Sequence, residues 1–537
     1  MSFYKSHLTV LEQSAILYHS DVAFRIPRLD PTTGKVHNWS SISYQQFKED
    51  VEFTARYWRT VLETHGIPQR SVIGLWLSGM SYQDTLHIYG ISRAGYVPQL
   101  FSIRLPNPEV IQELLGVANA KALVLAPEFT EMSTSFLLPV YPAPDKDAMS
   151  ASAAPLPPIT SSGNGDQVVF IFHTSGSTSG RPKLVPCNQR WLQTNVDKAR
   201  FASTPQDPRR KDVTVYMGSM CHIAQTFTLI GSLQHGSCTV VPTKQGFSSE
   251  ELVDMIYSCG LNRLKQFSTF LSIHLRGARK DCKLLQFLQS LDELQYSGLP
   301  LEREDEEWAY SKGLKLRNIF GSTECGGILL SIGGAGRDNR FLRPLPGASY
   351  SFVPIDAAGH PESGHQSSVQ LLELVVLAES GDCPDISFRS GDGHFHTGDL
   401  FQEMGPGTYV FRGRNDDWIK SENSLRCDTK AIEDNVRATC GDLIGQCIVV
   451  GMGRPSPALF VEPASGVDHD RLQREILRKT RPFHSKRYIH ERITRKELVI
   501  IVDPKSLPRT TTKGNIRRRA VEEKYKTQLD AIYASLN

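Results

Sequence analysis

Five short segments carry residue types that handle nucleotides and carboxylates. Thr174-Ser175-Gly176-Ser177-Thr178-Ser179-Gly180-Arg181-Pro182-Lys183 joins glycines, which let a backbone turn tightly against an anion, to hydroxyl and amide donors and a cation. A Walker loop needs G-x-x-x-x-G-K-[ST]. Gly176 and Gly180 stand too close for it, and Arg181-Pro182 follows, so that reading fails. Alone, the stretch reads as a polar surface loop. Asn318-Ile319-Phe320-Gly321-Ser322-Thr323-Glu324 runs from a strand into a turn that presents a hydroxyl and a carboxylate, oxygen ligands suited to Mg²⁺ beside phosphates. Alone, it is an ordinary strand end. His396-Thr397-Gly398-Asp399-Leu400 places an acid after a tight turn, where it can accept from two ribose hydroxyls. Gly413-Arg414-Asn415-Asp416-Asp417-Trp418-Ile419-Lys420 and Leu507-Pro508-Arg509-Thr510-Thr511-Thr512-Lys513-Gly514-Asn515-Ile516-Arg517-Arg518 each pass alone for a charged turn.

The elements that must position these segments alternate along the chain. Tyr44–Thr64 has the apolar spacing of an amphipathic helix, and Ser71–Leu77 (SVIGLWL) that of a buried strand. Ser81–Ala94 is the next helix and Ala122–Ala126 the next strand, an alternation that predicts βαβ units and a parallel sheet. Tyr141–Asn164, rich in Pro, Ala and Ser, is expected to be an exposed loop. Strands are expected at Gln167–Phe172, Val213–Tyr216, Cys238–Val241, Leu294–Ser297 and Lys315–Ile319. Gln370–Ala378 and Gly407–Arg412 read as antiparallel strands of a β-rich subdomain. After Arg414 comes a smaller α+β unit with a helix at Thr429–Thr439 and a strand at Gln446–Gly451, so a boundary is placed near Gly413–Asp417. The basic stretch Arg471–Lys496 is a solvated face or, functionally, a landing surface for an anionic nucleotide or carrier.

With 537 residues the chain exceeds one ordinary core. Its formal net charge of +3 argues against a dedicated nucleic-acid binder. No apolar run reaches membrane-span length, and no leader or retention signal is evident, so a cytosolic protein is expected. The ten cysteines form no C-x-x-C pair, which disfavours zinc and dithiol chemistry. Cys221 and Cys325 lie beside the segments and are candidates to line a pocket, without an activating base.

In this order and at these separations, the five segments resemble the core motifs of the acyl-adenylate-forming (AMP-binding) superfamily. That superfamily contains acyl- and aryl-CoA synthetases, luciferases and the adenylation domains of nonribosomal peptide synthetases. The resemblance covers nearly the whole chain. It implies an α/β fold: a large N-terminal domain of stacked α/β subdomains plus a β-rich subdomain (1–412), a hinge (413–417) and a small mobile α+β C-terminal domain (418–537). By the same resemblance, Thr174, Ser175, Gly176, Ser177, Thr178, Gly180 and Lys183 would form the phosphate loop. Ser297 and Gly298 (with Leu299 and Pro300) would lie against the adenine, on which Phe320 would stack within Asn318–Ser322. Thr323 would meet the α-phosphate and Glu324 would bind Mg²⁺. Asp399 and Arg414 would hold the ribose. Asp416 would be the hinge, Lys420 would face the thiol donor after rotation, and Lys513 would be the catalytic lysine of adenylation. Three positions depart from the family pattern: an extra loop residue (Ser179) with Leu184 in place of Gly, the order Lys513-Gly514, and Asn423 in place of Gly.

Met217-Gly218-Ser219-Met220-Cys221-His222 resembles the segment that walls the acyl pocket. His222 would stand at its mouth, the alternative being a structural histidine, and Gln225 would bond a polar substituent. Amino-acid-activating relatives place an Asp shortly after this point, and Ile223-Ala224-Gln225-Thr226-Phe227 has none. An ammonium buried without a partner is costly. The expected substrate is therefore an aryl, alkyl or keto acid without a free α-amino group. No carrier segment follows the fifth motif, so the acceptor is expected from outside: coenzyme A, or alternatively the phosphopantetheine of a separate carrier protein. The loop and hinge also resemble the adenylation parts of fungal synthetase-like reductases, which suggests specialised biosynthesis. A catalytically dead nucleotide-binding relative is the reading from another class.

Overall fold

The computed structural model describes all residues except 1–3, 103–104, 106, 160–163, 175–181, 356–369, 416–417, 422–425, 465, 467, 486, 488, 510–514 and 537. The described chain opens with α1 (His7–Leu17) and the hairpin β1 (Val22–Leu29)–β2 (Val36–Ser43), then enters α2 (Tyr44–Thr64). Ser43 caps α2 by accepting from the Gln46 N–H. The helix buries Phe47, Val51, Ala55, Trp58 and Leu62, one stripe at three- and four-residue spacing. That stripe packs on the next βαβ units: β3 (Val72–Leu77), α3 (Tyr82–Arg93), β4 (Val97–Ser102), α4 (Pro108–Val117) and β5 (Ala122–Leu125). β6 (Val140–Pro142), β7 (Val168–Thr174) and β8 (Lys183–Asn188) complete a six-stranded sheet, in the order β6-β5-β3-β4-β7-β8. All its pairs are parallel except the β7–β8 hairpin. The stretch expected to be one long loop therefore begins with a short edge strand, β6, added to β5.

The chain then continues through α5 (Gln189–Ala202), β9 (Val213–Val215), α6 (Ile223–Leu233), β10 (Cys238–Val240) and α7 (Ser249–Cys259). It goes on through β11 (Arg263–Phe267), α8 (Ser268–Ala278), α9 (Cys282–Ser290), β12 (Glu293–Ser297), α10 (Arg303–Ser311) and β13 (Leu316–Ser322). From β14 (Gly326–Ser331) the pairing turns antiparallel, through β15 (Leu342–Pro344), β16 (Tyr350–Pro354), β17 (Leu372–Val376), β18 (Phe395–Gly405) and β19 (Thr408–Arg414). These strands join β1 and β2 in one 13-stranded sheet. Beyond it, β20 (Trp418–Lys420) pairs with β21 (Arg426–Asp428). α11 (Thr429–Cys440), β22 (Ile444–Val450), β23 (Ala458–Pro463), α12 (His469–His484), β24 (Val499–Ile501), α13 (Arg518–Lys524) and α14 (Lys526–Leu536) build a separate core around Ile432, Val449, Phe460, Leu472 and Val499. No helix among the described residues is long and apolar enough to cross a membrane.

The parallel part of the large sheet has two unlike faces. Leu264, Leu294, Tyr296 and Leu316 pack with α7 to α10. The opposite face carries Arg263, Lys265, Glu293, Gln295 and Arg317, all but Arg317 fully buried. Arg263 donates to Asp212 at 2.8 Å and to Glu293 at 2.7 Å, and Arg317 donates to Glu293 at 2.9 Å. Glu293 thus bridges two guanidinium groups. Removing one partner of a buried ion pair leaves an uncompensated charge. Glu293→Ala should therefore destabilise the N-terminal unit by about 3–5 kcal/mol, measured by urea unfolding followed by circular dichroism. A loss below about 1 kcal/mol would show that the bridge is not a buried pair in solution.

Candidate functional site

Three separate stretches of backbone meet at the carboxyl ends of the parallel strands. Between them and the C-terminal unit lies a cleft of about 1870 Å³. Its wall holds Thr174 and Lys183 from the β7–β8 hairpin, Gly298 after β12, and Asn318, Phe320, Gly321, Ser322, Thr323 and Glu324 from β13 and the turn after it. Asp399 from β18 and Arg414 from β19 complete it. The structure therefore brings these eleven sequence-selected residues to one place. Ser297 ends β12 next to Gly298. Ser175, Gly176, Ser177, Thr178, Gly180, Asp416 and Lys513 lie outside the described residues, and Lys420 is placed only as the backbone partner of Arg426 in β20–β21.

The turn that carries Thr323 and Glu324 is held from behind by one face of α5. Trp191 Nε1 donates to the Glu324 carbonyl at 2.8 Å, and Lys198 Nζ to the Cys325 carbonyl at 2.9 Å. Asn195, one turn from each, packs against Gly326, whose φ is +71°. A Cβ on Gly326 would lie 1.9 Å from Asn195 Oδ1, and one on Gly321 would lie 2.3 Å from the Gly326 carbonyl. Glycine is thus required at both ends of the turn. Lys198 is itself fully buried and ion-paired with Asp382 at 2.6 Å. Tyr350 also donates to Asp382. None of Trp191, Asn195, Lys198 or Asp382 was a sequence candidate. Their signal was the i, i+4, i+7 spacing along α5, which is indistinguishable from core packing until the partner turn is known.

The hairpin before the phosphate-loop segment is fixed similarly. His173 Nδ1 lies 2.9 Å from the Leu100 carbonyl and Nε2 lies 3.2 Å from Gln99 Nε2. The amide must donate there, so the ring carries its proton on Nδ1. Burial pulls His173 down to about 4, which keeps it neutral, and the ring stacks on Phe101. Thr174 then pairs with Lys183 across β7–β8.

Asp399 sits within a strand rather than after a free turn: Gly398, at φ +69°, bends β18 so that Asp399 pairs in register with Arg414. The two side chains are 3.4 Å apart, with Asp399 nearly buried and Arg414 half exposed. Phe320 packs edge-on to Phe401 and tilted on Phe411, and also lines the cleft. Among the described residues no cation pairs with the Glu324 carboxylate, and no cluster of three or more metal-ligating side chains exists.

His222 occupies the N-cap position of α6, half buried, with Nε2 at 3.2 Å from Ser102 Oγ. Gln225 is fully buried, and its Oε1 accepts from the backbone N–H of Met217 at 2.7 Å and of Gly218 at 3.4 Å. That oxygen is committed to shaping the wall. Cys221 and Cys325 are enclosed; burial pushes Cys221 up to about 12 and Cys325 well above the ordinary thiol range, so neither offers a thiolate. From the C-terminal unit, Lys430, Arg437, Arg517, Arg518 and Arg519 line the cleft. Among the described residues none from the basic stretch 471–496 does; α12 instead turns Leu472 and Ile476 into its own core.

The family model "AMP-binding enzyme" matches residues 20–361, and "AMP-binding enzyme C-terminal domain" matches residues 416–537. The chain is 38% identical over 519 residues to the AMP-binding domain-containing enzyme iboA of Amanita muscaria, covering 94% of this chain and 98% of that protein. It is 22% identical to the adenylate-forming reductase Nps11 of Serpula lacrymans, covering 94% of this chain but 47% of that protein, about half its length. Its fold matches ATP-bound MatB from Rhodopseudomonas palustris with a TM-score of 0.72 at 18% identity, covering 97% and 99% of the two chains. It also matches the anthranilate CoA ligase AuaEII in complex with anthranoyl-AMP, with a TM-score of 0.72 at 17% identity and 99% of each chain covered.

The clamp on the turn has a direct test. Gly326→Ala should lower stability by about 1–2 kcal/mol from the left-handed φ alone, with a further loss from displacing Asn195. Adding Asn195→Gly should return only that further part. Scanning calorimetry of the single and double variants measures both, and an unshifted melting temperature for Gly326→Ala would dismiss the clamp.

Proposed function

The chain belongs to the AMP-binding enzyme family and is an adenylate-forming enzyme; from this premise we propose that it joins a carboxylic acid without a free α-amino group to AMP, releasing pyrophosphate, and then passes the acyl group to the thiol of coenzyme A. The observation that carries the proposal is the convergence of Thr323, Glu324, Asp399, Arg414 and the Thr174–Lys183 hairpin in one cleft beside Phe320.

In this reading Phe320 meets the adenine face, and Asp399, steadied by Arg414, accepts from the ribose hydroxyls. Thr323 donates to the α-phosphate. Lys183 and the hydroxyl-rich loop 174–180 receive the outgoing phosphates. Glu324, whose carboxylate no cation engages among the described residues, and the adjacent hydroxyls would supply hard oxygen ligands for Mg²⁺, which when bound would offset phosphate charge. Lys513 brings an ammonium to the charge that develops between the attacking carboxylate and the α-phosphate, a contribution of about 3 kcal/mol. The cationic wall of Arg437 and Arg517–Arg519 retains the anionic nucleotide. The unit 418–537 then turns about 413–417, at Asp416, withdrawing Lys513 and bringing Lys420 towards the thiol. His222 guards the acyl entrance. The second reading of the acceptor is the phosphopantetheine of a separate carrier protein.

Pyrophosphate release from ATP and Mg²⁺, measured over a panel of aryl, alkyl, keto and amino acids, should respond to one acid class and rise strongly with coenzyme A. Release indifferent to coenzyme A would move the acceptor to a carrier protein. Silence with every acid would sink the activity. Lys513→Ala should abolish adenylate formation yet still make thioester from supplied acyl-adenylate. Full adenylation by that variant would remove Lys513 from its role.

A further inference from the structure

Asp399 stands at the end of an irregularity in β18. β17 and β18 pair at Glu373–Leu400 and again at Val375–His396, so Leu374 alone spans Thr397, Gly398 and Asp399. Such a bulge leaves ladder groups unpaired, and side chains meet them here. The Thr397 hydroxyl accepts from the Asp399 N–H at 3.0 Å and donates to the Leu374 carbonyl at 2.8 Å. The Gly398 N–H donates to Glu373 Oε1 at 3.0 Å. Glu373 Oε2 lies 3.1 Å from His396 Nδ1, and Asp392 Oδ2 lies 3.0 Å from His396 Nε2. His396 itself lines the cleft.

A carboxylate only accepts, and a neutral imidazole carries a single N–H. Both ring nitrogens of His396 face carboxylate oxygens, so only the imidazolium donates to both. These bonds, to Asp392 first and Glu373 second, raise His396 above its ordinary value. The charged groups around the ring come from three elements. Glu373 lies on β17 and Asp392 in the turn before β18, where His394 uses Nδ1 to accept from the Ala378 N–H. From β19, Arg414 reaches the Thr397 carbonyl and Asp399. Among the described residues no lysine or arginine pairs with Glu373 or Asp392, so His396 is the cation that balances them. Once the ring is neutral, one of its nitrogens is a lone pair set against a carboxylate, and the brace on the bulge is lost.

We propose that protonated His396 is a positioning residue for the nucleotide: through Glu373 it holds the bulge in the form that presents Asp399 to the ribose, so preference for a ribose with its hydroxyls exists while the ring is charged and is lost when it is neutral. This rests on the adenylation reading, which places the ribose at Asp399. The ring holds its proton below its raised value and gives it up above, so the preference is full near about pH 6 and fades towards about pH 9.

Titration calorimetry of the full chain with Mg²⁺ and either ATP or 2′,3′-dideoxy-ATP tests this without the acid being known. The two nucleotides carry the same triphosphate, so ionisation of the phosphates cancels in the ratio of their Kd values. In the wild type that ratio should favour ATP about 5-fold more at the acid end than at the alkaline end, the upper range for a partly exposed ion pair. ATP should also take up more protons on binding than the dideoxy nucleotide, read from heats in buffers of different ionisation enthalpy. His396→Gln can donate to one carboxylate only and does not titrate. Its ratio should rest at the low alkaline value at every pH, with the extra proton uptake gone, whereas a merely structural role would weaken both nucleotides alike. A ratio level with pH in the wild type overturns this inference and leaves adenylation standing, and that series decides even if the variant fails to fold. A pH-dependent ratio that persists in His396→Gln overturns it equally. No binding of ATP at any pH overturns both readings.

Discussion

Thr323 and Glu324 occupy a turn between antiparallel strands, a place where backbone carbonyls ordinarily lean on water. Here the carbonyls of Glu324 and Cys325 face inward, where an unsatisfied acceptor costs a large part of a protein's net stability. Trp191 and Lys198 satisfy them from α5. The ammonium that does so needs a counter-ion of its own, which is why Asp382 is drawn into the interior between β17 and β18. Asp382 in turn binds Ser380 and Tyr350, so the turn is fixed to the β-rich strands that carry Asp399. α5 begins at the end of β8, and the hairpin beside the phosphate-loop segment is therefore tied to the same frame. Three sequence-distant parts of the cleft share one anchor.

The large sheet follows a related logic. A parallel strand covered on both sides is normally apolar throughout. β11, β12 and β13 depart from that most on one face, with a ladder of arginine and carboxylate in which Glu293 bridges Arg263 and Arg317. Replacing such charges with apolar side chains is often neutral or stabilising. Net stability alone therefore gives little reason for them, whereas their mutual pairing fixes the register of three neighbouring strands.

Elements with a strong period were legible from sequence. α2 covers Tyr44–Thr64 as read from its stripe, and β3, β5 and β12 lie where short apolar runs stood. The convergence of Glu324, Asp399 and Arg414 was legible only through motif order, since each segment alone looks like a charged turn. What the sequence did not yield were groups whose meaning depends on a partner in space. Lys198 reads as a surface residue of an amphipathic helix, and Asp382 as part of a loop. Lys265 sits in the string RLKQF, where strand alternation gives its face but not that the face is enclosed. Gln225 was read towards substrate because its position in the wall was legible, whereas the two backbone N–H groups it accepts from were not.

The anchor also constrains how the protein can move. If α5 holds the turn, the hairpin and the β-rich strands together, the cleft is not readily widened by shifting one of them. Each shift would strip Lys198 of its counter-ion or leave a buried carbonyl bare. The C-terminal unit is different. It has its own core, and it faces the cleft through polar and cationic side chains: Lys430, Asp434, Arg437 and Arg517–Arg519. Polar contacts of this kind exchange with water at little net cost, as in interfaces that open and close. Glu433 accepts from Arg518 while also accepting from the Val449 N–H, so part of that cationic wall is itself braced from within the unit. A binding face held by one buried anchor, opposite a cationic face braced within its own unit, is compatible with the rotation proposed above for residues 418–537.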